Sequence, residues 1–171
     1  MGEREKRALE ILELYSIHKT IPASISGKNH IGETALDHLK LVNNILNHLC
    51  DEFNIQGDKR DILLAAGWLH DLGIYIITRA WDCSNLPGWI YYEKTGYCRF
   101  DELMTKHGSV GADEILHYNI KDKEKISKLV ACHMSHWYKD EPQPKELLEY
   151  LLCIADYIAS KGDKIFNYEK K

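Results

Sequence analysis

The stretch Trp68-Leu69-His70-Asp71-Leu72-Gly73 places a histidine and an aspartate side by side at the end of an apolar segment. Adjacent residues on an α-helix point about 100° apart, so this pair cannot bind one ion from a straight helix face. It can do so where the helix frays, and we expect Gly73 to end the helix in the left-handed conformation. The preceding residues are apolar on almost every side, which predicts a buried central helix. A buried aspartate beside a buried histidine needs protons or a metal ion as partners.

The composition narrows the class of protein. The chain has 171 residues, of which 44% are hydrophobic, enough for one domain with a sizeable core. A net charge of −4 argues against binding to nucleic acid, and no apolar run reaches the roughly 18 residues that span a membrane. There is no signal-peptide core, and the five cysteines form no Cys-x-x-Cys pair. We therefore expect a cytoplasmic protein with reduced cysteines.

Apolar residues recur at helical spacing through most of the chain. The predicted helices begin near residues 3, 34, 58, 107, 122 and 144. Asp37 follows Thr34 at the spacing of a capping box, Asp58 can cap the central helix, and Pro144 suits the first turn of the last helix. The sequence predicts an all-α single domain with an N-terminal helix and loop (1–32), a helical core that Lys161-Gly162 close (33–162) and a tail (163–171).

A stretch of different character follows the His-Asp pair. Residues 74–77 fit a short strand or a continued helix equally well. Residues 81–100 then combine Gly, Pro and Asn with the aromatic residues Trp81, Trp89, Tyr91, Tyr92, Tyr97 and Phe100. We expect a loop or hairpin excursion, long enough to be a lid or binding loop. Its aromatic side chains either stack on a nucleobase or simply pack the loop.

The predicted core helices each bring a histidine or an aspartate onto or beside their apolar faces. The six residues are His38, His70, Asp71, His107, His133 and Asp156. Imidazole and carboxylate are ligands that Mn, Fe, Co and Zn prefer, and facing helices commonly build such sites. Each residue alone could be a core histidine or a carboxylate bonded to the backbone. Six of them in succession predict a buried metal site.

The order of these residues resembles that of the HD superfamily of metal-dependent phosphohydrolases, in which His, His-Asp, His, His and Asp follow one another. The resemblance extends from about Thr34 to Gly162, and the stretch around the His-Asp pair is similar to the central signature of the family. The segment His107-Gly108-Ser109-Val110-Gly111-Ala112 resembles members that bind two metals. Ala155-Asp156 looks like the usual setting of the last ligand.

This resemblance implies one or two divalent transition metal ions, with Fe, Mn, Co, Ni or Zn as candidates. One ion would be held by His38, His70, Asp71 and Asp156. Asp71, the candidate catalytic residue, would bridge to a second ion held by His107 and His133. Such a pair of ions activates a water and clamps a phosphoryl oxygen. Gly111 would let another backbone approach this region closely.

The chain departs from many members of the family directly after the His-Asp pair, where Ile74 replaces a phosphate-contacting lysine. The cations that could replace it are Arg79, Lys94, Arg99 and Lys106. His136, one turn after His133, is a candidate for substrate binding, proton donation, a further metal contact or a surface position. The histidines that fit no ligand pattern, and that we expect at the surface, are His18, His30, His48 and His117.

The leading hypothesis is hydrolysis of a phosphate ester or anhydride of a nucleotide or dinucleotide. The segments at His107 and Ala155-Asp156 look most like the YqeK-type hydrolases of dinucleoside polyphosphates, although this chain has an extra N-terminal helix and a longer aromatic excursion. The alternatives are an oxygenase with two irons, which would use the same ligands, and a non-catalytic metal-stabilised binding module. Gly-Tyr-Pro and Glu-Asp signatures are absent, which argues against cyclic-dinucleotide and alarmone hydrolases. The expected partner is a small phosphorylated molecule, and the oligomeric state stays open.

Overall fold

The computed structural model describes residues 1–23, 33–80, 89–92 and 97–166, without the side chains of 79–80, 89–92, 97 and 162–166. Its helices are α1 (Glu3–Glu13), α2 (Ala35–Glu52), α3 (Gly57–Leu69), α4 (Leu72–Ala80), α5 (Asp101–Met104), α6 (His107–Ile115), α7 (Lys123–Cys132) and α8 (Leu147–Phe166). A 3-10 turn (Ser16–Lys19) follows α1, and two short strands, β1 (Trp89–Tyr92) and β2 (Tyr97–Phe100), pair antiparallel. The predicted all-α fold is confirmed.

Helix α3 lies at the centre of the domain, as its apolar sequence predicts. It packs against α1, α2, α7 and α8, while α6 packs against both α4 and α7. Residues of α3 such as Leu63, Ala65 and Leu69 are fully buried. The segment Gly57–Thr78 is long and apolar enough to cross a membrane, but 89% of its most apolar window is buried inside the domain. Its hydrophobicity is therefore that of a core helix.

The capping box at the start of α2 is confirmed. The Thr34 side chain accepts from the Asp37 backbone N–H at 3.2 Å, and the Asp37 carboxylate accepts from the Thr34 N–H at 3.0 Å. The prediction for α3 is wrong in detail, because Asp58 does not cap it. The helix begins one residue earlier, at Gly57, and its N-cap Gln56 makes no side-chain capping bond. The φ of Gly57 is +61°, a conformation that glycine adopts at little cost.

The last helix begins and ends later than predicted. Helix α8 begins at Leu147, so Pro144 lies before the helix and not in its first turn. It also continues through Gly162 to Phe166. A glycine inside a helix costs only about 1 kcal/mol, too little to stop a helix whose earlier turns are held by burial of Leu151, Leu152 and Ala155.

Gly73 has a different role from the predicted one. It lies inside α4, and among the described glycines only Gly57 has a positive φ. The break between α3 and α4 falls instead at His70 and Asp71. A Cβ on Gly73 would lie 2.0 Å from the carbonyl oxygen of His107 and 2.9 Å from the backbone nitrogen of Gly111. Glycine is therefore required by backbone contact between α4 and α6, which also confirms the close approach predicted at Gly111.

The aromatic excursion is described only in part. Trp89 stands opposite Phe100 and Tyr92 opposite Tyr97 in the two strands, while residues 81–88 and 93–96 lie outside the described structure. Residues 74–77 belong to α4, so they continue as helix. Cys98 in β2 is disulfide-bonded, so the expectation of reduced cysteines is wrong for this residue. The odd number of cysteines and the missing Cys-x-x-Cys pair argued against a disulfide framework and a zinc ribbon, but they could not exclude a single bridge.

A buried ion-pair network anchors α1 to α3. The Arg4 guanidinium lies 3.1 Å from the Asp61 carboxylate, 3.2 Å from Asp58 and 2.6 Å from Asp122. The Asp61 carboxylate also accepts from the backbone N–H groups of Arg4 and Glu5, in the first turn of α1. Burial alone would raise the pKa of Asp61, but these donors lower it below its usual value. The network holds the N-terminal helix on the helix that leads to the His-Asp pair.

Replacing Arg4 with methionine should destabilise the protein by about 3 kcal/mol at pH 7, because it leaves the buried Asp61 charge without its guanidinium. A lowered carboxylate pKa contributes stability above pH ~4, and that contribution is lost as the pH falls through the folded-state value. The difference in the free energy of unfolding between the variant and wild type should therefore become smaller below pH 4. Urea unfolding at pH 7 and pH 3.5 measures it, with exposed Lys6→Met as the control. If this difference does not depend on pH, the stabilisation does not come from the ion pair between Arg4 and the ionised Asp61.

Candidate metal centre

Six polar side chains from different parts of the sequence meet inside the helical core. His38 comes from α2 and Asp156 from α8, while His70 and Asp71 occupy the break between α3 and α4. His107 is the first residue of α6, and His133 directly follows α7. All six are at most 7% exposed. Buried charges of this kind require a compensating partner.

The first ligand group lies between α2, α3 and α8. The His38 Nε2 atom is 3.0 Å from Asp156 Oδ1 and 3.3 Å from His70 Nε2. Asp71 Oδ2 lies 3.7 Å from His38 Nε2 and 3.4 Å from His70 Nε2. The ligand atoms of His38, His70 and Asp71 therefore lie within 4.8 Å of one another, and Asp156 Oδ1 contacts the two imidazoles of this group at 3.0 and 3.5 Å.

The second ligand group uses the other oxygen of the same aspartate. Asp71 Oδ1 lies 3.2 Å from His107 Nε2 and 3.5 Å from His133 Nε2. The two histidine Nε2 atoms are 3.0 Å apart. Donor atoms that are 2.0–2.2 Å from a common ion stand roughly 3.0–3.5 Å apart, so both groups have the spacing of metal ligands. Asp71 is the residue that the two groups share.

Backbone carbonyls set the tautomer of three of these histidines. In each case Nδ1 donates to the carbonyl oxygen three residues earlier, at 2.6–2.7 Å. The pairs are His70 with Gly67, His107 with Met104, and His133 with Val130. Nε2 is therefore the ring nitrogen that faces the centre, where it can take up a proton or a metal ion. His70 and His133 reach such carbonyls because they stand at helix C-termini, where carbonyls are open to side chains; the Val130 carbonyl also accepts from the His133 backbone N–H at 3.3 Å.

The electrostatics of the centre favour a cation. Burial alone would raise the pKa of Asp71, but the surrounding histidines hold it well below its usual value. The same holds for Asp156, whose pKa is lowered by His38 and His70. Burial would lower the pKa of His70, yet Asp71 and Asp156 raise it to about 9. Two ionised carboxylates are thus held among four imidazoles, a donor set that suits a divalent transition metal.

His136, a predicted substrate-binding residue, lies at the edge of the centre. Its Nε2 atom is 3.8 Å from Asp156 Oδ2, and its side chain is 20% exposed. Burial lowers the pKa of His136. Its ring centroid lies 4.8 Å from that of Trp137 and 5.6 Å from that of Tyr157. His136 therefore joins the metal-ligand group to an aromatic surface.

The structure gives less information about the cationic residues that were predicted to contact a phosphate. Arg99 is 2% exposed and donates from Nη2 to the carbonyl oxygen of Pro22 at 2.8 Å. Arg79 belongs to α4, but its side chain lies outside the described structure, as does Lys94. Lys106 is exposed, directly before α6. Substrate binding by Arg79 and Arg99 therefore stays a prediction.

One of the remaining histidines is not at the surface. His48 and His117 are exposed, as predicted, and His30 lies outside the described residues. His18, however, is 0% exposed, and its Nδ1 contacts the carbonyl oxygen of Tyr15. The expectation for His18 was wrong because the chain folds inward in a 3-10 turn, which is too short to show a periodic apolar pattern.

A groove of about 350 Å³ adjoins His136 and is lined by α8 residues that the sequence reading did not single out. Among them are Tyr150, Ile154 and Tyr157, each between 43% and 49% exposed. They recur at spacings of four and three along α8, a signal in the sequence for a second apolar face. The Lys161 amine lies 5.1 Å from the centre of the Trp137 ring, which packs against Tyr157.

Comparison with known proteins agrees with this geometry. The family model of the HD domain matches residues 35–161, which include all six clustered side chains. The chain therefore belongs to the HD-domain family, whose members are typically metal-dependent phosphohydrolases. No curated protein and no solved structure matches the chain. The match is to the family as a whole and supports no particular subfamily.

Proposed function

We propose that this protein is a metal-dependent phosphohydrolase with a dinuclear centre. The observation that carries the proposal is Asp71, whose two carboxylate oxygens face two separate groups of ligands. Asp71 Oδ2 faces His38 and His70, and Asp71 Oδ1 faces His107 and His133. Membership of the HD-domain family supports the same activity.

The residues of the centre would have different roles in hydrolysis. When bound, two metal ions would supply an activated water and neutralise charge on the phosphoryl group. The six buried side chains hold the ligand atoms in place and keep bulk water out. His136 lies at the partly exposed edge, where its imidazole can hydrogen-bond to an oxygen of the substrate.

We infer that the substrate is a nucleotide or a dinucleotide. The support is the aromatic surface beside His136, where Trp137 and Tyr157 are 38% and 46% exposed. Exposed aromatic rings can stack on a nucleobase, and the Lys161 amine above Trp137 can approach a phosphate. Symmetrical cleavage of a dinucleoside polyphosphate, as in the YqeK-type enzymes, is one reaction within this class.

A substrate screen tests the proposed activity. We expect the protein loaded with Mn, Fe, Co, Ni or Zn to release phosphate or nucleotide from at least one nucleotide or dinucleotide. The metal-free protein should be inactive, because the buried ligands provide no other nucleophile. Dioxygen uptake by the iron form without phosphate release would support the oxygenase. Metal binding without turnover of any phosphorylated compound would support the binding module.

Replacing Trp137 with alanine should raise the Michaelis constant for a nucleotide about tenfold, since one stacked base contributes roughly 1–3 kcal/mol. The kcat should change little, because the ring is not among the metal ligands. Ribose 5-phosphate, which has no base, is the control substrate, and Tyr138→Ala is the control variant, with Tyr138 exposed to the same extent at 39%. An equal rise for ribose 5-phosphate would contradict base stacking.

We also propose a cytoplasmic location. It is supported by Cys50, Cys132 and Cys153, which are buried and free. The disulfide-bonded Cys98 weighs against it, because cytosolic thiols are normally kept reduced. Cell fractionation tests the location, and recovery outside the cytoplasm would reject it.

A further inference from the structure

Two buried polar atoms that lack a hydrogen-bond partner among the described residues belong to neighbouring rings, those of Tyr75 and His18. Tyr75 is fully buried, and its hydroxyl makes no hydrogen bond within the described structure. Tyr75 lies four residues after Asp71, on the same side of the chain as it enters α4. Buried hydroxyls are nearly always hydrogen-bonded, so an unpartnered one needs an explanation.

The second such atom belongs to His18. Its Nδ1 donates to the Tyr15 carbonyl oxygen, while its Nε2 is buried without a partner among the described residues. The centroids of the His18 and Tyr75 rings are 5.8 Å apart. Burial lowers the pKa of His18, so the ring is neutral and its Nε2 presents a lone pair. The two rings therefore lie close together, and each carries an unpartnered polar atom, a donor-acceptor hydroxyl on one and an acceptor nitrogen on the other.

Tyr75 interacts electrostatically with Asp71 of the metal centre and with the buried Arg99. Burial raises the pKa of Tyr75, the charge of Asp71 raises it further, and the charge of Arg99 lowers it. The Tyr75 hydroxyl is thus within electrostatic reach of both groups. Arg99 is held by the Pro22 carbonyl, four residues after His18, so the chain segment that carries His18 also bounds this region. The position of Tyr75 four residues after Asp71, together with the effect of the Asp71 charge on its pKa, links the pair to the metal centre.

We propose that His18 and Tyr75 form a subsite for a hydroxyl group of the substrate, next to the phosphoryl group at the metal centre. The substrate hydroxyl donates to His18 Nε2 and accepts from the Tyr75 O–H. A hydroxyl can do both at once, whereas an ammonium group only donates and a phosphate dianion only accepts. The inference rests on the proposed function, and in a nucleotide it points to a ribose hydroxyl. His18 and Tyr75 are then residues that determine specificity.

Two conservative variants test the subsite. Tyr75→Phe removes only the hydroxyl, and His18→Asn keeps a donor for the Tyr15 carbonyl while it removes Nε2. The substrates are 5′-AMP and its 2′-deoxy and 3′-deoxy analogues, with the metal-loaded protein. Wild type should favour AMP over one deoxy analogue by on the order of tenfold in kcat/KM, the effect of one hydrogen bond to a buried group. Both variants should bring this ratio close to one by slowing AMP alone.

A stability measurement separates this subsite from a structural role. If the Tyr75 hydroxyl has no partner in the free protein, Tyr75→Phe should leave Tm unchanged or raise it by roughly 2 °C or more. The control is Tyr118→Phe, because the Tyr118 hydroxyl contacts that of Tyr15. This control should lower Tm and leave the AMP-to-deoxy ratio unchanged.

The possible results are distinct. If both variants keep the wild-type ratio of kcat/KM for AMP to that for the deoxy analogue, the subsite is overturned, since a bound water alone would give this result. A clear fall in Tm for Tyr75→Phe also overturns it. Failure to hydrolyse any nucleotide overturns the proposed function instead. In that case the subsite is tested by binding alone. AMP and its deoxy analogues are added to the metal-loaded protein, and the rise in Tm that each produces is compared. A larger rise with AMP in wild type, lost in both variants, supports it, and equal rises reject it.

Discussion

Replacing Asp71 with asparagine is expected to remove both metal ions and to lower kcat/KM by at least about a thousandfold. Within the described part of the chain, Asp71 is the residue whose carboxylate faces both ligand groups, with Oδ1 3.2 Å from His107 Nε2 and Oδ2 3.4 Å from His70 Nε2. A neutral amide is a poor ligand for a transition metal and cannot bridge two ions through two anionic oxygens. Losing a single electrostatic contact to a transition state already costs roughly a hundredfold or more.

The measurement combines elemental analysis of the purified variant with its hydrolysis rate and its helical circular dichroism. The control is Asp113→Asn, because Asp113 is exposed on α6 outside both ligand groups. Asparagine has nearly the shape of aspartate, so the helical signal should change little. A variant with the wild-type metal content and normal turnover would mean that the His-Asp pair is only a structural break between α3 and α4.

Replacing His107 and His133 together with alanine should remove close to one metal equivalent and leave the other. Their Nε2 atoms are 3.0 Å apart, and Asp71 Oδ1 is the one carboxylate oxygen of the described residues within 4 Å of them, so the first ligand group keeps all its members. The kcat should fall by about a hundredfold or more, with a smaller change in the Michaelis constant, because the lost ion stabilises charge that develops in the transition state.

The matched control is the double replacement of His48 and His117 with alanine, since both side chains are exposed. It should leave metal content and rate unchanged. If His107 and His133 were only core histidines, their double variant would lose thermal stability but keep its metal content and its rate per folded molecule. That result would reject the dinuclear centre while leaving a mononuclear one possible.

The sequence was informative where a residue carries a local signal. The six clustered residues could be selected because each is a histidine or an aspartate on or beside an apolar helix face. The capping box at Thr34 could be identified because both of its bonds are local. The helical periodicity after residue 107 similarly predicted α6 and α7. These signals depend on neighbours within one or two turns of the chain.

The sequence was less informative where tertiary contacts decide the structure. A glycine can mark either a positive φ or a close approach, and at Gly73 only the fold shows that His107 lies against it. The burial of His18 depends on Tyr75, which is 57 residues away in the chain. The groove beside His136 combines residues from α8 with residues from the segment after α7. No local pattern contains such information.

The backbone contact at Gly73 also bears on how this scaffold could evolve. Helices α4 and α6, which begin beside Asp71 and at His107, touch without an intervening side chain. The spacing of the two ligand groups is therefore set by main-chain atoms, which point mutations elsewhere can hardly alter. In the proposed function, substrate preference would instead diverge through His18 in the N-terminal segment and through the outer face of α8, which carry the proposed substrate contacts. New specificities can thus arise on this chain without any retuning of the reactive centre.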